Sequence, residues 1–137
     1  MSDERSVSSE RAPEPVGAYP HARRVGGFLY LSGIGPRVRG SRAIPGVELD
    51  ASGAVVSYDI EAQCRSCFDN VRAVLEDAGA SWGDVVDVLA FLTNMKDDFA
   101  RYNAVYASYF AGPGNPNPTR TTVEVTSLPT PIAVEVK

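Results

Sequence analysis

The sequence has 137 residues, 44% of them hydrophobic, and a formal net charge of −4. This length predicts a single domain whose core needs no metal or disulfide support. The acidic balance argues against nucleic acid as the main partner, because phosphate binding favours a basic face, and no apolar run approaches the roughly 20 residues of a membrane span.

Residues 1–18 are polar and acidic and contain no apolar stretch of the kind found in signal peptides. We expect a flexible N-terminal leader here, followed by one domain over residues 19–137. The chain has only two cysteines, Cys64 and Cys67. Their small number and the lack of an export signal predict a reducing, cytoplasmic environment.

The segment RRVGGFLYLSG, residues 23–33, predicts a β-hairpin. Gly26 and Gly27 form its two-residue turn, and Phe28–Leu31 form a strand rich in residues that favour β-structure. Residues 34–57 are interrupted by glycine and proline, so they are predicted to be mostly loop, with a short strand near Val47–Leu49.

The segment from Asp59 to Ala78 predicts an amphipathic helix. Asp59 is the expected N-cap and Gly79 the expected C-terminal cap. Apolar residues at steps of three and four form one stripe: Ile60, Cys64, Cys67, Val71, Val74 and Ala78. The apolar run Val85–Leu92 then predicts a central strand that is covered on both faces.

A second helix is predicted from Asp98 to Phe110, with four aromatic residues on one face: Phe99, Tyr102, Tyr106 and Tyr109. Two closing strands follow, at residues 119–125 and 132–136. The pattern predicts an α+β fold with two helices packed on one face of a single mixed sheet. The other face would be open for subunit packing, with ligand clefts between subunits.

The closing strands carry two charged residues, Arg120 and Glu135, which would share one polar side if the strands pair as neighbours in a suitable register. A guanidinium can grip a carboxylate through two hydrogen bonds, and a nearby carboxylate can deprotonate water. The pair would suit hydrolysis of a small acid that bears a C=N bond. The alternative, which the pattern alone favours, is an ordinary solvated surface pair.

The remaining reactive residues point to structural roles. Cys64 falls in the second turn of the predicted helix, so the two thiols are interpreted as core residues and not as a redox pair. His21 is the only histidine and supplies too few ligands for zinc, so a surface or hydrogen-bonded structural role is favoured. Asn103 would cap a backbone group or contact a ligand. We expect neither a metal nor an organic cofactor.

The chain resembles the RidA (YjgF) family of imine and enamine deaminases from about Tyr19 to Lys137. The resemblance is carried by GGFLYLSG, DIEAQCRSCFDNVRAVLEDAGASWGDVV, FLTNMKDDFARYNAVYASYF, PTRTTVEV and IAVEVK. YPHARR and RTTVEV look closer to 2-aminomuconate deaminases than to the commonest members. Two positions depart from many members, since Thr122 replaces a cysteine and Ile34 replaces a glutamine.

The resemblance implies a chorismate-mutase-like α+β homotrimer with three clefts between subunits. Arg120 would clamp the substrate carboxylate and Glu135 would orient the attacking water. Five further residues would contact the substrate: Tyr19, Ser32, Gly33, Asn103 and Thr122. The implied activity is metal-independent hydrolysis of a small imine or enamine acid, of the 2-aminomuconate or 2-iminopropanoate type, with release of ammonia.

Two other functions stay open at this point. The same cleft could bind a metabolite without turnover. Ribonuclease activity is attributed to some relatives, and the acidic charge makes RNA the weakest of the three alternatives. Ammonia release, ligand-induced stabilisation without turnover, and salt-sensitive RNA cleavage would distinguish them.

Overall fold

The computed structural model describes residues 5–137. The described part folds into eight strands and two helices, with a short 3-10 helix at Trp82–Asp84. The elements are β1 (Ser6–Val7), β2 (Ala22–Val25), β3 (Phe28–Leu31), β4 (Val47–Leu49), β5 (Val55–Tyr58), α1 (Ile60–Asp77), β6 (Asp87–Leu92), α2 (Met95–Phe110), β7 (Thr119–Glu124) and β8 (Val134–Val136). They confirm the α+β class.

The strands form three hydrogen-bonded ladders. The first has the order β1-β2-β3, the second pairs β4 with β5, and the third has the order β7-β6-β8. An isolated bridge between Ile34 and Val136 joins the first ladder to the third. The sheet is therefore less continuous than the sequence predicted, because Gly33, Gly35 and Pro36 interrupt regular pairing after β3.

Helix α1 begins and ends where the local signals predict. The Asp59 carboxylate accepts hydrogen bonds from the backbone N–H groups of Glu61 and Ala62, at 3.0 and 3.2 Å. Gly79 follows the helix with a φ of +82°, the left-handed conformation that glycine adopts most easily. Helix α2 begins at Met95 and not at Asp98, because the Asn94 side chain caps it by accepting from the Asp97 N–H.

Both helices contribute to one core with the third ladder. The inward side chains of β6 are fully buried in this core: Val88, Ala90 and Leu92. The outward side chains Leu89 and Phe91 are only half-buried, and Asp87 is exposed. The structure thus contradicts the prediction that this strand is covered on both faces within one chain. Strand β5 was missed because Gly53 and the neighbouring polar residues resemble a loop.

The outer face of the hairpin is also open. Three apolar side chains are more than half exposed there, Val25 at 53%, Phe28 at 62% and Tyr30 at 54%. The register pairs Val25 with Phe28 and Arg23 with Tyr30, so these four side chains share one face. One face of the β-structure therefore carries the helices and the other stays uncovered in a single chain.

The segment before Tyr19 packs against the domain over residues 5–18, in contrast to the flexible leader expected from its composition. Strand β1 pairs with β2, and four residues of the segment are buried: Val7, Ser9, Ala12 and Pro13. Arg11 is bound to the Asp77 carboxylate at the end of α1. Residues 1–4 of the expected leader lie outside the described residues.

The structural role of His21 is confirmed. The ring is buried; its Nδ1 accepts a hydrogen bond from the Ser9 N–H at 3.0 Å, and its Nε2 lies 2.8 Å from the Pro13 carbonyl. Because Nδ1 is the acceptor, Nε2 carries the proton and donates to Pro13. His21 thus fastens the N-terminal segment to β2.

The interpretation of both cysteines as core thiols is also confirmed. Cys64 and Cys67 are free and fully buried. Burial raises the pKa of Cys64 to about 12, and the Cys67 thiol donates to the Ile34 carbonyl at 3.0 Å. Such thiols stay protonated near neutral pH and are poor nucleophiles.

No helix within residues 5–137 combines the length and apolar character needed to cross a bilayer.

Candidate active site

Arg120 and Glu135 lie on opposite faces of the third ladder. Strand β6 pairs with both closing strands and separates them, so the neighbouring pairing that could have placed the two side chains together does not form. Arg120 is the register partner of Val88, and Glu135 is the register partner of Phe91. Register partners point to the same face, and residues three apart on β6 point to opposite faces. A single chain therefore does not bring the two side chains into one site.

Arg120 points toward helix α2. Its guanidinium carbon lies 4.6 Å from the ring centre of Tyr106, 5.3 Å from that of Tyr102 and 5.8 Å from that of Phe99. The electron-rich ring faces attract the cation and hold it in place. Within residues 5–137 the guanidinium has neither a hydrogen bond nor a carboxylate partner. Its planar set of donors is therefore available to an anion.

Three hydroxyl groups near Arg120 also lack a hydrogen-bond partner within the described protein: those of Tyr102, Tyr106 and Thr122. Tyr102 is fully buried and Tyr106 is 9% exposed. Burial raises the pKa of both phenols, so they remain protonated donors. We call this set of side chains the Arg120 cluster: Phe99, Tyr102, Tyr106, Arg120 and Thr122.

The Arg120 cluster lies at an edge of the β-structure. Strand β7 is the outermost strand of its ladder and pairs only with β6. Arg120 is half-buried, between the aromatic rings and solvent. A second protein surface or a ligand can therefore approach it from the side that β6 does not occupy.

Glu135 lies in a second cluster, together with four residues that precede or follow the hairpin. The Glu135 carboxylate lies close to Gly33. A Cβ added at position 33 would be 3.0 Å from the Cδ and Oε2 atoms of Glu135. A side chain at position 33 would therefore require the Glu135 carboxylate to shift by a few tenths of an ångström. Tyr19, Ser32 and Arg37 line the same cavity. We call this set the Glu135 cluster: Tyr19, Ser32, Gly33, Arg37 and Glu135.

The cavity of the Glu135 cluster has a volume of about 20 Å³. This is room for about one water molecule. The Ser32 hydroxyl donates to the Pro20 carbonyl at 2.7 Å and so fixes one wall of the cavity. The Tyr19 hydroxyl accepts from the Val16 N–H at 3.3 Å. Anything larger than water has to contact Glu135 from the open side.

The protonation of Glu135 depends on two opposing influences. Burial raises the pKa of its carboxyl group, and the positive charge of Arg37 lowers it. Burial is the larger influence, so the pKa lies above the ordinary glutamate value. A carboxylate of raised pKa accepts a proton more readily than an exposed one and suits general base or acid chemistry.

Comparison with known families identifies the chain. Residues 9–137 match the family described as Endoribonuclease L-PSP. A RutC family protein of Pyrococcus abyssi is 36% identical over 132 residues, which are 96% of this chain and 91% of that protein. The chain belongs to the RidA (YjgF) family. The family predicted from the sequence motifs is therefore confirmed.

Two relatives of this RidA-family chain are named for their chemistry. A protein of Dermatophagoides farinae named 2-iminobutanoate/2-iminopropanoate deaminase is 36% identical over 138 residues, covering 100% of this chain and 95% of that protein. A protein of the same name from Salmonella typhimurium is 30% identical over 133 residues, covering 97% and 94%.

Solved structures agree with the fold. The YjgF gene product of E. coli is 30% identical, covers 96% of this chain and 93% of its own, and superimposes with a TM-score of 0.80. E. coli TdcF with bound serine is 29% identical, covers 97% and 94%, and superimposes with a TM-score of 0.82. The α+β fold with two helices is thus that of the RidA family.

The sequence-predicted site residues divide between the two clusters. Arg120 and Thr122 belong to one, and Asn103 lies half-buried on the helix that supplies its rings. Glu135 belongs to the other, with Tyr19, Ser32 and Gly33. Within residues 5–137 the structure brings together no group of His, Cys, Asp and Glu side chains that could hold a metal ion.

The residues that support the two charged groups could not be recognised from the sequence. The rings of Tyr102 and Tyr106 hold Arg120, a role that the sequence did not indicate. The spacing of four along α2 placed them on one face, but nothing in the sequence showed that Arg120 faces them. Arg37 stood in a Gly- and Pro-rich segment and was given no role.

Proposed function

We propose that this protein is an imine deaminase, which hydrolyses a small carboxylate-bearing imine, or an enamine after tautomerisation, to a 2-oxo acid and ammonia. The names of the relatives from Dermatophagoides farinae and Salmonella typhimurium support this class of substrate. The observation that carries the proposal is the Glu135 carboxylate, which has a raised pKa and lies beside a cavity the size of one water molecule.

The chemistry needs only water and the side chains of the two clusters. Arg120 binds the substrate carboxylate through paired hydrogen bonds and withdraws electron density from the adjacent C=N carbon. Glu135 takes a proton from water as the water oxygen bonds to that carbon, and the C=N π electrons move to nitrogen. Glu135 then returns the proton to the nitrogen. Glu135 next takes the proton of the hydroxyl group of this adduct and passes it to the same nitrogen, so ammonia leaves as the C–N bond breaks and the C=O bond forms.

The separation of the clusters favours an assembly in which one subunit supplies Arg120 and its neighbour supplies Glu135. Arg120 lies at the edge strand β7, and Glu135 lies on the face that one chain leaves open. A head-to-tail contact of this kind repeats around a closed ring. A homotrimer would place three such sites between subunits, as the family resemblance implies.

The proposed substrate is an imine of either the 2-iminopropanoate or the 2-aminomuconate type. The 2-iminopropanoate type is supported by the named relatives, whereas the 2-aminomuconate type is supported only by the resemblance of YPHARR and RTTVEV. Neither nucleic acid nor membrane is needed as a partner, and cytoplasmic imino acids would be the natural supply.

An ammonia-release assay tests the proposed function. An amino-acid oxidase acting on alanine generates 2-iminopropanoate in the presence of the purified protein, and the rates of ammonia and pyruvate formation are recorded. We expect catalytic amounts of the protein to increase both rates equally. Stabilisation by substrate without turnover would indicate a binding protein, and cleavage of single-stranded RNA that weakens with salt would indicate a ribonuclease.

The pH dependence of kcat/KM should follow the protonation state of the Glu135 carboxyl group. The catalytic form is the carboxylate, so activity is present above its pKa and falls as the pH drops through it. Because burial raises that pKa, we expect the acidic limb to lie above the ordinary glutamate value of about 4.3. The limb should disappear in Glu135→Gln and persist in Glu48→Gln, a change at an exposed position on β4. If Glu135→Gln retained the decrease of kcat/KM at acidic pH, that decrease would come from the titration of another group.

Gly33→Ala should displace the Glu135 carboxylate. The new Cβ would lie 3.0 Å from the carboxyl group, and the flexible end of the side chain would have to move. We expect kcat/KM to fall about 10-fold or more with little change in stability, since misplacing a catalytic group is costly. Gly83→Ala is the matched control, because a Cβ there meets no atom within 4 Å. Equal activities of the two variants would contradict the close contact.

A further inference from the structure

Arg37 is held in a fixed position on the Glu135 side of the molecule. The Asn70 side chain on α1 donates to the Gly35 carbonyl at 2.9 Å and to the Arg37 carbonyl at 2.8 Å. Pro36, between these two carbonyls, is fully buried. The backbone from which the Arg37 side chain extends is therefore attached to the core, although the surrounding segment has little regular structure.

The Arg37 guanidinium lines the same cavity as Glu135 and, within residues 5–137, forms no ion pair with a carboxylate. One of its N–H groups donates to the Glu14 carbonyl at 2.6 Å. Within residues 5–137 ion pairs form at Arg11, Arg39 and Arg65, whereas no carboxylate lies within ion-pair distance of Arg37. A guanidinium has five N–H donors. N–H donors are thus left for a ligand beside the proposed base, and the positive charge, which also acts on the Glu14 and Glu135 carboxylates, is bound by neither in an ion pair.

Two features show that this charge acts on the cavity. Arg37 lines it together with Tyr19, Ser32 and Gly33, and its field lowers the pKa of Glu135 against the effect of burial. A site formed from both clusters would therefore contain two cationic groups, Arg37 and Arg120, at different positions. Arg120 belongs to the other cluster, so an anionic group held by Arg37 is not the one held by Arg120.

We propose that Arg37 is a second anion anchor that selects imino acids with two carboxylate groups. Arg120 of one subunit would bind the carboxylate next to the C=N carbon, and Arg37 beside Glu135 of the neighbouring subunit would bind the distal carboxylate. This inference rests on the proposed deaminase function and adds the substrate class to it. A substrate with one carboxylate leaves Arg37 unused.

The test compares two imines that differ in the distal carboxylate. Amino-acid oxidases generate 2-iminosuccinate from aspartate and 2-iminopropanoate from alanine, and ammonia release is followed at a pH well above the acidic limb of Glu135. We expect wild-type kcat/KM to favour the dicarboxylate. In Arg37→Gln the ratio of the two values should fall about 10- to 100-fold, mainly through a higher KM for the dicarboxylate, as expected for loss of a charge-assisted hydrogen bond.

Arg39→Gln is the matched control. Arg39 lies two residues away and contacts the same N-terminal segment, with hydrogen bonds to the Ser9 and Ala12 carbonyls at 2.8 and 2.9 Å. It does not line the cavity. Its replacement should lower the melting temperature without changing the ratio. An equal change of the ratio in both variants would show that packing of the segment, and not the Arg37 charge, sets selectivity.

Binding of the products separates this inference from the proposed function. Calorimetry with oxaloacetate and pyruvate, the corresponding 2-oxo acids, measures anion selectivity without turnover. Tighter oxaloacetate binding that is lost in Arg37→Gln supports the second anchor even for an inactive preparation. Deamination of 2-iminopropanoate with no preference for the dicarboxylate in either assay would overturn the anchor and leave the deaminase intact. Failure to deaminate either imine would overturn the proposed function.

Discussion

Arg120→Ala should lower kcat/KM for an imino acid by about 100- to 1000-fold, because two charge-assisted hydrogen bonds to the substrate carboxylate are lost. The guanidinium has no protein anion to neutralise within the described residues, so its charge is available for substrate. The measurement is steady-state ammonia release from 2-iminopropanoate by purified wild type and variant at the same pH.

Three companion measurements make this result specific. Arg120→Lys keeps the charge but not the planar fork, so an intermediate loss of activity is expected. Arg101→Ala removes an exposed arginine from α2 and should leave kcat/KM unchanged. The loss of contacts to the three aromatic rings should cost about 1 kcal/mol of unfolding free energy, which thermal melting will detect. Full activity of folded Arg120→Ala would exclude Arg120 as the carboxylate clamp.

Local signals were sufficient to predict most elements. The N-cap Asp59, the apolar stripe and Gly79 determined α1, because each acts within a few residues. The Gly26–Gly27 turn determined the hairpin for the same reason. Helix α2 was predicted too short because Asn94 caps it from a position that the aromatic pattern does not include.

Pairing of distant strands could not be predicted from the same signals. Arg120 and Glu135 could share one side only if the closing strands paired with each other in a suitable register, but β6 pairs with both strands. Strand order depends on the packing of all apolar faces at once, and a change of partner alters which face a side chain occupies. The sequence therefore singled out Arg120 and Glu135 as a candidate pair, but it could not show that they lie on opposite faces of the ladder.

The N-terminal segment shows a second limit. Its polar composition suggested a flexible leader, yet Val7 and Ala12 are buried and the Ser9 N–H binds His21. A few buried side chains and specific hydrogen bonds are enough to order a segment that is polar on average. The same contacts bring Glu14 to Arg37, so this segment also forms part of the surroundings of the candidate site.

Glu135→Gln should reduce kcat by about 100-fold or more, because an amide of the same shape cannot exchange a proton with water and the leaving nitrogen. The variant should fold normally, since Glu135 makes no hydrogen bond to the described protein. The affinity for the 2-oxo acid product should change less than kcat, because the Arg120 guanidinium that binds the product carboxylate remains. A folded Glu135→Gln protein with wild-type kcat would exclude Glu135 as the proton carrier.

Mixing the two inactive variants provides the strongest test of where the site is formed. In one chain Arg120 and Glu135 occupy opposite faces of the ladder, so a functional pair requires two subunits. Each mixed interface in which the Arg120→Ala chain supplies Glu135 and the Glu135→Gln chain supplies Arg120 contains both intact residues. After co-refolding of equal amounts, random assembly of a ring would make about a quarter of its sites complete. Activity should recover to that level, whereas mixing without refolding should recover less. No recovery in demonstrably mixed oligomers would place the two residues in separate sites and refute their joint chemistry.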